Sequence, residues 1–118
     1  MERPKTIFCD IDGTLMIHFT PDITAREDFT PSLLEGTLEK LNEWDKKGYI
    51  IVLVTARRES MREITGKQLS RLGIFYDQLI MGISSGQRVL INDVKSDGKD
   101  TAISFNLKRN EGIKNIKI

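Results

Sequence analysis

Two carboxylates, Asp10 and Asp12, stand two residues apart and are followed directly by Gly13 and Thr14. In extended backbone, side chains at i and i+2 point to the same side, so both acids face one point. Neighbouring carboxylates repel, and a bound cation or a proton on one of them relieves the repulsion. That suits a division of labour, with one acid ionised as nucleophile and ligand and the other serving as acid and base. Gly13 permits a sharp turn there. Thr55 offers a hydroxyl to a phosphate oxygen, and the backbone N–H groups that follow it add further donors. Asp93, on a separate segment, would complete an oxygen-only set of the kind Mg²⁺ prefers. A calcium loop is the competing reading, but its register fails. With Asp10 at loop position 1, position 6 is Leu15 and position 12 is Pro21; with Gly13 at position 6, position 1 is Phe8.

Such residues act together only if the chain brings them to one place. Thr6-Ile7-Phe8-Cys9 is a short apolar run closed by Asp10, as in a buried strand. Thr30 followed by Pro31 predicts a helix start, with Leu34, Leu38, Leu41 and Trp44 at helical spacing and Gly48 as the stop. Residues 49–54 form an unbroken β-rich run, the pattern of a strand covered on both faces in a parallel sheet. A second helix is predicted over 59–72, ended by Gly73. Residues 79–81 and 89–91 read as two further short strands, and 102–105 as a candidate last one. Strands alternating with helices predict an α/β fold, a three-layer, Rossmann-like, doubly wound parallel sheet. In such sheets ligands bind beyond the carboxyl ends of the strands. Asp10, Asp12, Thr55 and Asp93 each follow an apolar run and so collect at that end.

The 118 residues carry 18 Lys+Arg against 17 Asp+Glu, a net charge of +1, with no linker, repeat or low-complexity stretch. They are read as one domain, 1–118. A near-zero charge gives no general attraction to nucleic acid or to an anionic membrane. No apolar run approaches the roughly 20 residues that span a bilayer. The charged start lacks a following apolar segment, so no signal peptide is expected. A single Cys fits a reducing, cytoplasmic setting. Cys9 precedes Asp10 within an apolar run, and the Cys-x₅-Arg loop of a thiol phosphatase would need Arg where Leu15 stands, so Cys9 reads as a buried strand residue. His18 has no second ligand at metal spacing, and Trp44 reads as core.

With these residues in place, the sequence resembles the haloacid dehalogenase (HAD)-like hydrolases, in particular their small capless phosphatases. Asp10-Ile11-Asp12-Gly13-Thr14-Leu15 is similar to the first motif of that superfamily. Residues 51–57, ending Val54-Thr55-Ala56-Arg57, resemble the second, and residues 90–97, with Asn92-Asp93, resemble the acidic fourth. The resemblance implies that Asp10 attacks phosphorus to give an aspartyl-phosphate, while Asp12 protonates the leaving oxygen and then activates water. It implies Mg²⁺ held by Asp10, the Asp12 carbonyl and Asp93, with Thr55 on the transferring phosphoryl group. Thr55, Ala56, Arg57 and Gly13 make the expected substrate-binding set. These roles match the physics of phosphoryl transfer, which is positioning plus neutralisation of charge.

One departure stands out. The third motif of the family supplies a cation, and Gly82-Ile83-Ser84-Ser85 has none. Arg88 begins the fourth predicted strand, about 17 Å of extended chain from Asp93 and at the wrong end of the sheet. Lys95, in the loop after Asp93, is therefore expected to supply the charge, ahead of Lys67 and Arg57. The expected activity is Mg²⁺-dependent hydrolysis of a small phosphomonoester, a sugar phosphate or a nucleotide. The alternative is a HAD-like domain with weak or no turnover, serving as a binding or regulatory module. A phosphoacceptor receiver domain would need an Asp where Thr55 stands. No membrane or nucleic-acid partner is expected, and a homo-oligomer stays open. The segment 16–29 is a loop or vestigial cap, so the site should be open, with selectivity coming from that loop, a neighbouring subunit or a covering partner.

Overall fold

The computed structural model describes residues 3–118. Met1 and Glu2, which begin the stretch expected to carry no signal peptide, lie outside the described residues. The apolar run before the first carboxylate forms strand β1 (Thr6–Asp10), with Ile7 and Cys9 inward. After a tight turn comes helix α1 (Pro21–Thr24), a single turn with Pro at its start. Helix α2 (Thr37–Lys46), strand β2 (Ile50–Val54), a 3-10 turn (Glu59–Met61), helix α3 (Arg62–Leu72) and strand β3 (Gln78–Ile80) follow. Gly73 closes α3 in the left-handed conformation, at φ 77°.

The strands are parallel and ordered β1-β2-β3, with Ile7 opposite Ile51, Cys9 opposite Leu53 and Leu53 opposite Leu79. Both crossovers step in the same direction across the sheet, so their right-handedness places α2 and α3 on one face. There Ile7, Cys9, Ile51 and Leu53 pack with Leu41 and Trp44 of α2 and Leu69 of α3. Each such side chain taken from water contributes about 1.5–3 kcal/mol. Ile113, near the carboxyl end, inserts into the same core. The other face is only partly covered: Val52, opposite Phe8, is buried, while Phe8, Ile50 and Ile80 are 53%, 41% and 40% exposed. Among the described residues no helix is long and apolar enough to cross a membrane.

The expected parallel α/β class is the one observed, with no more than a minimal cap. The segment 16–29 holds only α1 and an edge-to-face pair, Phe19 on Phe29, with ring centroids 5.3 Å apart. Two local expectations are corrected. The second helix of the chain starts at Thr37, not Pro31, because the preceding residues are used as extended chain. Ile17 N–H donates to the Ser32 carbonyl (2.9 Å), Leu34 N–H to that of Leu15 (3.0 Å), and Met16 bridges Leu33. Gly36 then makes the turn into α2 at φ 85°, where a Cβ would lie 2.9 Å from the Lys114 Cα. The second correction concerns 89–91 and 102–105, which join no strand; Val89, Leu90 and Ile91 are 70%, 57% and 89% exposed.

Candidate active site

The turn after β1 is built on one carbonyl. Ile11 C=O accepts from the N–H groups of Thr14 (3.2 Å), Leu15 (2.9 Å) and Met16 (3.3 Å), while Gly13 N–H donates to Met16 C=O (2.7 Å). Gly13 sits at φ 84°, and a Cβ there would press on the Arg109 Cγ at 3.2 Å. Asn110 braces this turn from the far end of the chain. Its N–H donates to Gly13 C=O (2.8 Å), and its side-chain Oδ1 accepts from His18 N–H (2.8 Å). Asn110 itself takes a left-handed φ of 66°, which Asn tolerates better than most residues. A lone Asn at that distance in sequence carries no motif, so only the folded chain reveals the role.

Asp10 lies at the carboxyl end of β1. Thr14 Oγ1 donates to its Oδ2 at 3.4 Å, and Arg88 Nη2 lies 3.8 Å from its Oδ1. Burial pushes the Asp10 carboxyl above the ordinary carboxylate range; Arg88, the Ile11 N–H and Thr14 pull it down, while the Asp12 charge adds to the rise. The cation beside the candidate nucleophile is thus Arg88. The expectation for Lys95 is corrected in this geometry: Lys95 is exposed in the 87–106 segment, its N–H donating to Lys99 C=O (3.0 Å). The premise that failed is the fourth strand. Without it, Arg88 is free to cross the carboxyl end of β1.

Asp12 is held by Arg57 in a two-pronged pair, Nε to Oδ2 and Nη2 to Oδ1, both at 2.8 Å. The Arg57 side chain is 5% exposed. Its remaining donors go to Thr65 Oγ1 (3.0 Å), Gln68 Oε1 (2.6 Å) and Met16 Sδ (3.7 Å). Gln68 in turn donates to the Thr24 carbonyl at 3.0 Å, tying α3 to α1. All five guanidinium N–H groups are therefore engaged. This differs from the substrate contact expected of Arg57: its contacts describe a residue that orients Asp12. Two spare lone pairs remain on the Asp12 carboxylate for proton transfer.

Thr55, at the end of β2, is buried, and its Oγ1 accepts from Arg57 N–H (3.1 Å). That bond uses the oxygen and leaves the O–H as a donor. Ala56 beside it is exposed, so its backbone is accessible. Asp93 does not join these groups. It is exposed, and among the described residues no three acids, His or Cys cluster closely enough to hold a metal. The oxygen set within one chain is then the Asp10 carboxylate and the Asp12 carbonyl, since Arg57 engages the Asp12 carboxylate. Mg²⁺ prefers near-octahedral oxygen donors, usually one or two carboxylates with waters. One free carboxylate with the Arg88 guanidinium beside it is too little negative charge to fit it.

No family model matches the sequence, and no curated protein matches it. Solved structures do. One chain of the Pnkp1/Rnl/Hen1 complex, an RNA repair complex, is 27% identical with a TM-score of 0.58; the match covers 73% of this chain and 30% of that one. This chain thus spans less than a third of its length. A protein from Vibrio cholerae is 23% identical with a TM-score of 0.53, over 75% of this chain and 79% of that one. The D,D-heptose 1.7-bisphosphate phosphatase from B. bronchiseptica, complexed with magnesium and phosphate, matches at 18% identity and a TM-score of 0.47, over 65% of this chain and 49% of that one. The fold of this chain is a HAD-like, Rossmann-type α/β fold.

Proposed function

We propose that this protein is a phosphomonoester hydrolase working through an aspartyl-phosphate on Asp10, with a small phosphorylated metabolite as substrate in the cytoplasm. The observation that carries the reading is the pairing of a half-buried Asp10 at a strand end with an Asp12 locked in place by Arg57. An Asp10 oxygen forms a bond to phosphorus as the ester P–O bond breaks, and Asp12 gives its proton to the departing oxygen. A water then attacks the aspartyl-phosphate, losing a proton to Asp12 and releasing inorganic phosphate and free Asp10. Arg88 offsets the charge of the attacking carboxylate, and the Thr55 O–H is available to a phosphoryl oxygen. Asp93 stands apart from Asp10 and Asp12 in this fold, so no step of the reading is routed through Mg²⁺, and the panel below measures its effect.

The test is phosphate release from a panel of sugar phosphates, nucleotides, an aryl phosphate and phosphate-ended oligonucleotides, with and without Mg²⁺. Asp10→Asn should abolish release while the circular dichroism spectrum stays native. One observation favours a second reading, a HAD-like binding or regulatory module with weak or no turnover: Asp93 stays outside the site of its own chain. Wild-type protein inactive across the whole panel would select that reading. Preference for the oligonucleotides would shift the substrate class toward that of the RNA repair neighbour.

A further inference from the structure

The Arg57 guanidinium is gripped on two sides. Its Nε and Nη2 hold the two oxygens of Asp12, each at 2.8 Å. Its Nη1 carries two more N–H groups, which go to Thr65 Oγ1 (3.0 Å) and Gln68 Oε1 (2.6 Å). Thr65 and Gln68 stand three apart on α3 and so share one helix face. Both are buried, at 0% and 1% exposure. A two-pronged Arg–carboxylate pair runs as two parallel hydrogen bonds, so the plane of the guanidinium fixes that of the carboxylate. Whatever holds Nη1 therefore sets where the spare lone pairs of Asp12 point.

Gln68 is itself held from the far side. Its Nε2 donates to the Thr24 carbonyl of α1 at 3.0 Å, and Thr24 is 2% exposed. Turned over, the amide would set N–H against the N–H groups of Arg57 and oxygen against the Thr24 carbonyl. Only one orientation satisfies both ends, and it needs an acceptor and a donor on one planar group. Glu would lack the donor, and Met would lack both. Beside this link a cleft of about 520 Å³ opens between residues 25–29 and α3, with Ala25 and Phe29 on one wall and Ile64 and Gln68 on the other. Across that gap the Thr24–Gln68 hydrogen bond fixes the amide where close packing does not.

We propose that Gln68, with Thr65 beside it, is a positioning residue for Asp12: by gripping Arg57 Nη1 it fixes the carboxylate from which the proton passes to the leaving oxygen. The path runs from the Thr24 carbonyl through the Gln68 amide and the Arg57 guanidinium to Asp12, with no link longer than 3.0 Å. Gln68 acts through Arg57. This rests on the phosphatase reading only in giving Asp12 the proton-donor role.

A series of substituted phenyl phosphates with graded leaving-group acidity tests the role, with kcat/KM as the measure because it ends at the aspartyl-phosphate. In Gln68→Met, kcat/KM should fall about 10²-fold for phenyl phosphate, the low end for a placed proton donor, and about twofold for the 4-nitrophenyl ester, whose leaving group departs without a proton. Thr65→Val, which keeps the shape and deletes the other acceptor, should tilt the series the same way by less, and it carries the test if Gln68→Met fails to fold. A merely structural loss would lower every ester by one factor; that result, or a series matching wild type, would overturn the proposal. A second readout needs no turnover. The Arg57 Nε–H, identified in the ¹H–¹⁵N spectrum by its loss in Arg57→Lys, should exchange slowly with water in wild type and about tenfold faster in either variant. Unchanged exchange would equally overturn the proposal. Faster exchange in the variants, with no phosphate released by wild type from any ester, would refute the phosphatase reading and leave the positioning of Asp12 standing.

Discussion

Replacing Arg57 with Ala removes a guanidinium whose five donors all have partners, in a side chain 5% exposed against an Asp12 that is 18% exposed. The change strands the Asp12 carboxylate, and it leaves Thr65 and Gln68, at 0% and 1% exposure, without their acceptor roles filled. Removing one member of a buried, hydrogen-bonded ion pair costs about 3–5 kcal/mol, because the other charge stays behind uncompensated. At about 4 °C per kcal/mol for a domain of this size, the melting midpoint should fall by roughly 12–20 °C. Thermal melts followed by circular dichroism, with urea titration as a second measure, give the number. Asp12→Ala alone should also destabilise, by stranding Arg57, and the double variant should cost less than the two single costs combined. Arg57→Lys should recover little, since one ammonium cannot span Asp12, Thr65 and Gln68 with the geometry of a planar fork. A fall below about 4 °C for Arg57→Ala, the range of an exposed pair, or strict additivity in the cycle, would refute the claim that this pair is buried and coupled.

Four other outcomes follow from the same geometry. Arg88→Ala should lower kcat by about 10²-fold, the usual loss when a charge-stabilising donor is removed, and Lys95→Ala should lower it less; the reverse order would return the role to Lys95. Asn110→Ala should loosen the turn after β1, raising amide exchange at Gly13 and His18 and reducing activity, with protection in β2 unchanged. Burial pushes the Cys9 thiol up to about 12 from the usual 9.0, so the native protein should resist iodoacetamide at pH 8 and react fully once unfolded. Because the folded state holds that proton more tightly, stability should decline as pH rises from about 9 to about 12, and Cys9→Ala should flatten that decline in urea titrations at matched pH.

Much of the candidate site was legible because its signals are local. The apolar runs before Asp10 and Thr55 become β1 and β2, and the i, i+2 acids lie on one turn because two residues and a glycine define it. Local signals also misled. Thr30-Pro31 has the chemistry of a helix start, yet 32–34 are recruited as extended chain by Leu15 and Ile17, and the cap falls to Gly36. The 89–91 run has the composition of a strand, yet it pairs with none and its side chains stay exposed, because composition does not supply a partner edge.

The sequence by itself determined that this is a parallel α/β chain with Asp10, Asp12 and Thr55 at strand ends, since periodicity and turn chemistry act over a few residues. Only the tertiary structure decided which cation serves which acid. Arg57 reaches Asp12 across 45 positions, Asn110 reaches back to the turn at Gly13, and Arg88 takes the place beside Asp10 that was expected of Lys95. Those partnerships depend on how far each segment travels and where it is anchored. Spacing along the chain does not encode that, because a charge acts through space and the fold sets the distance.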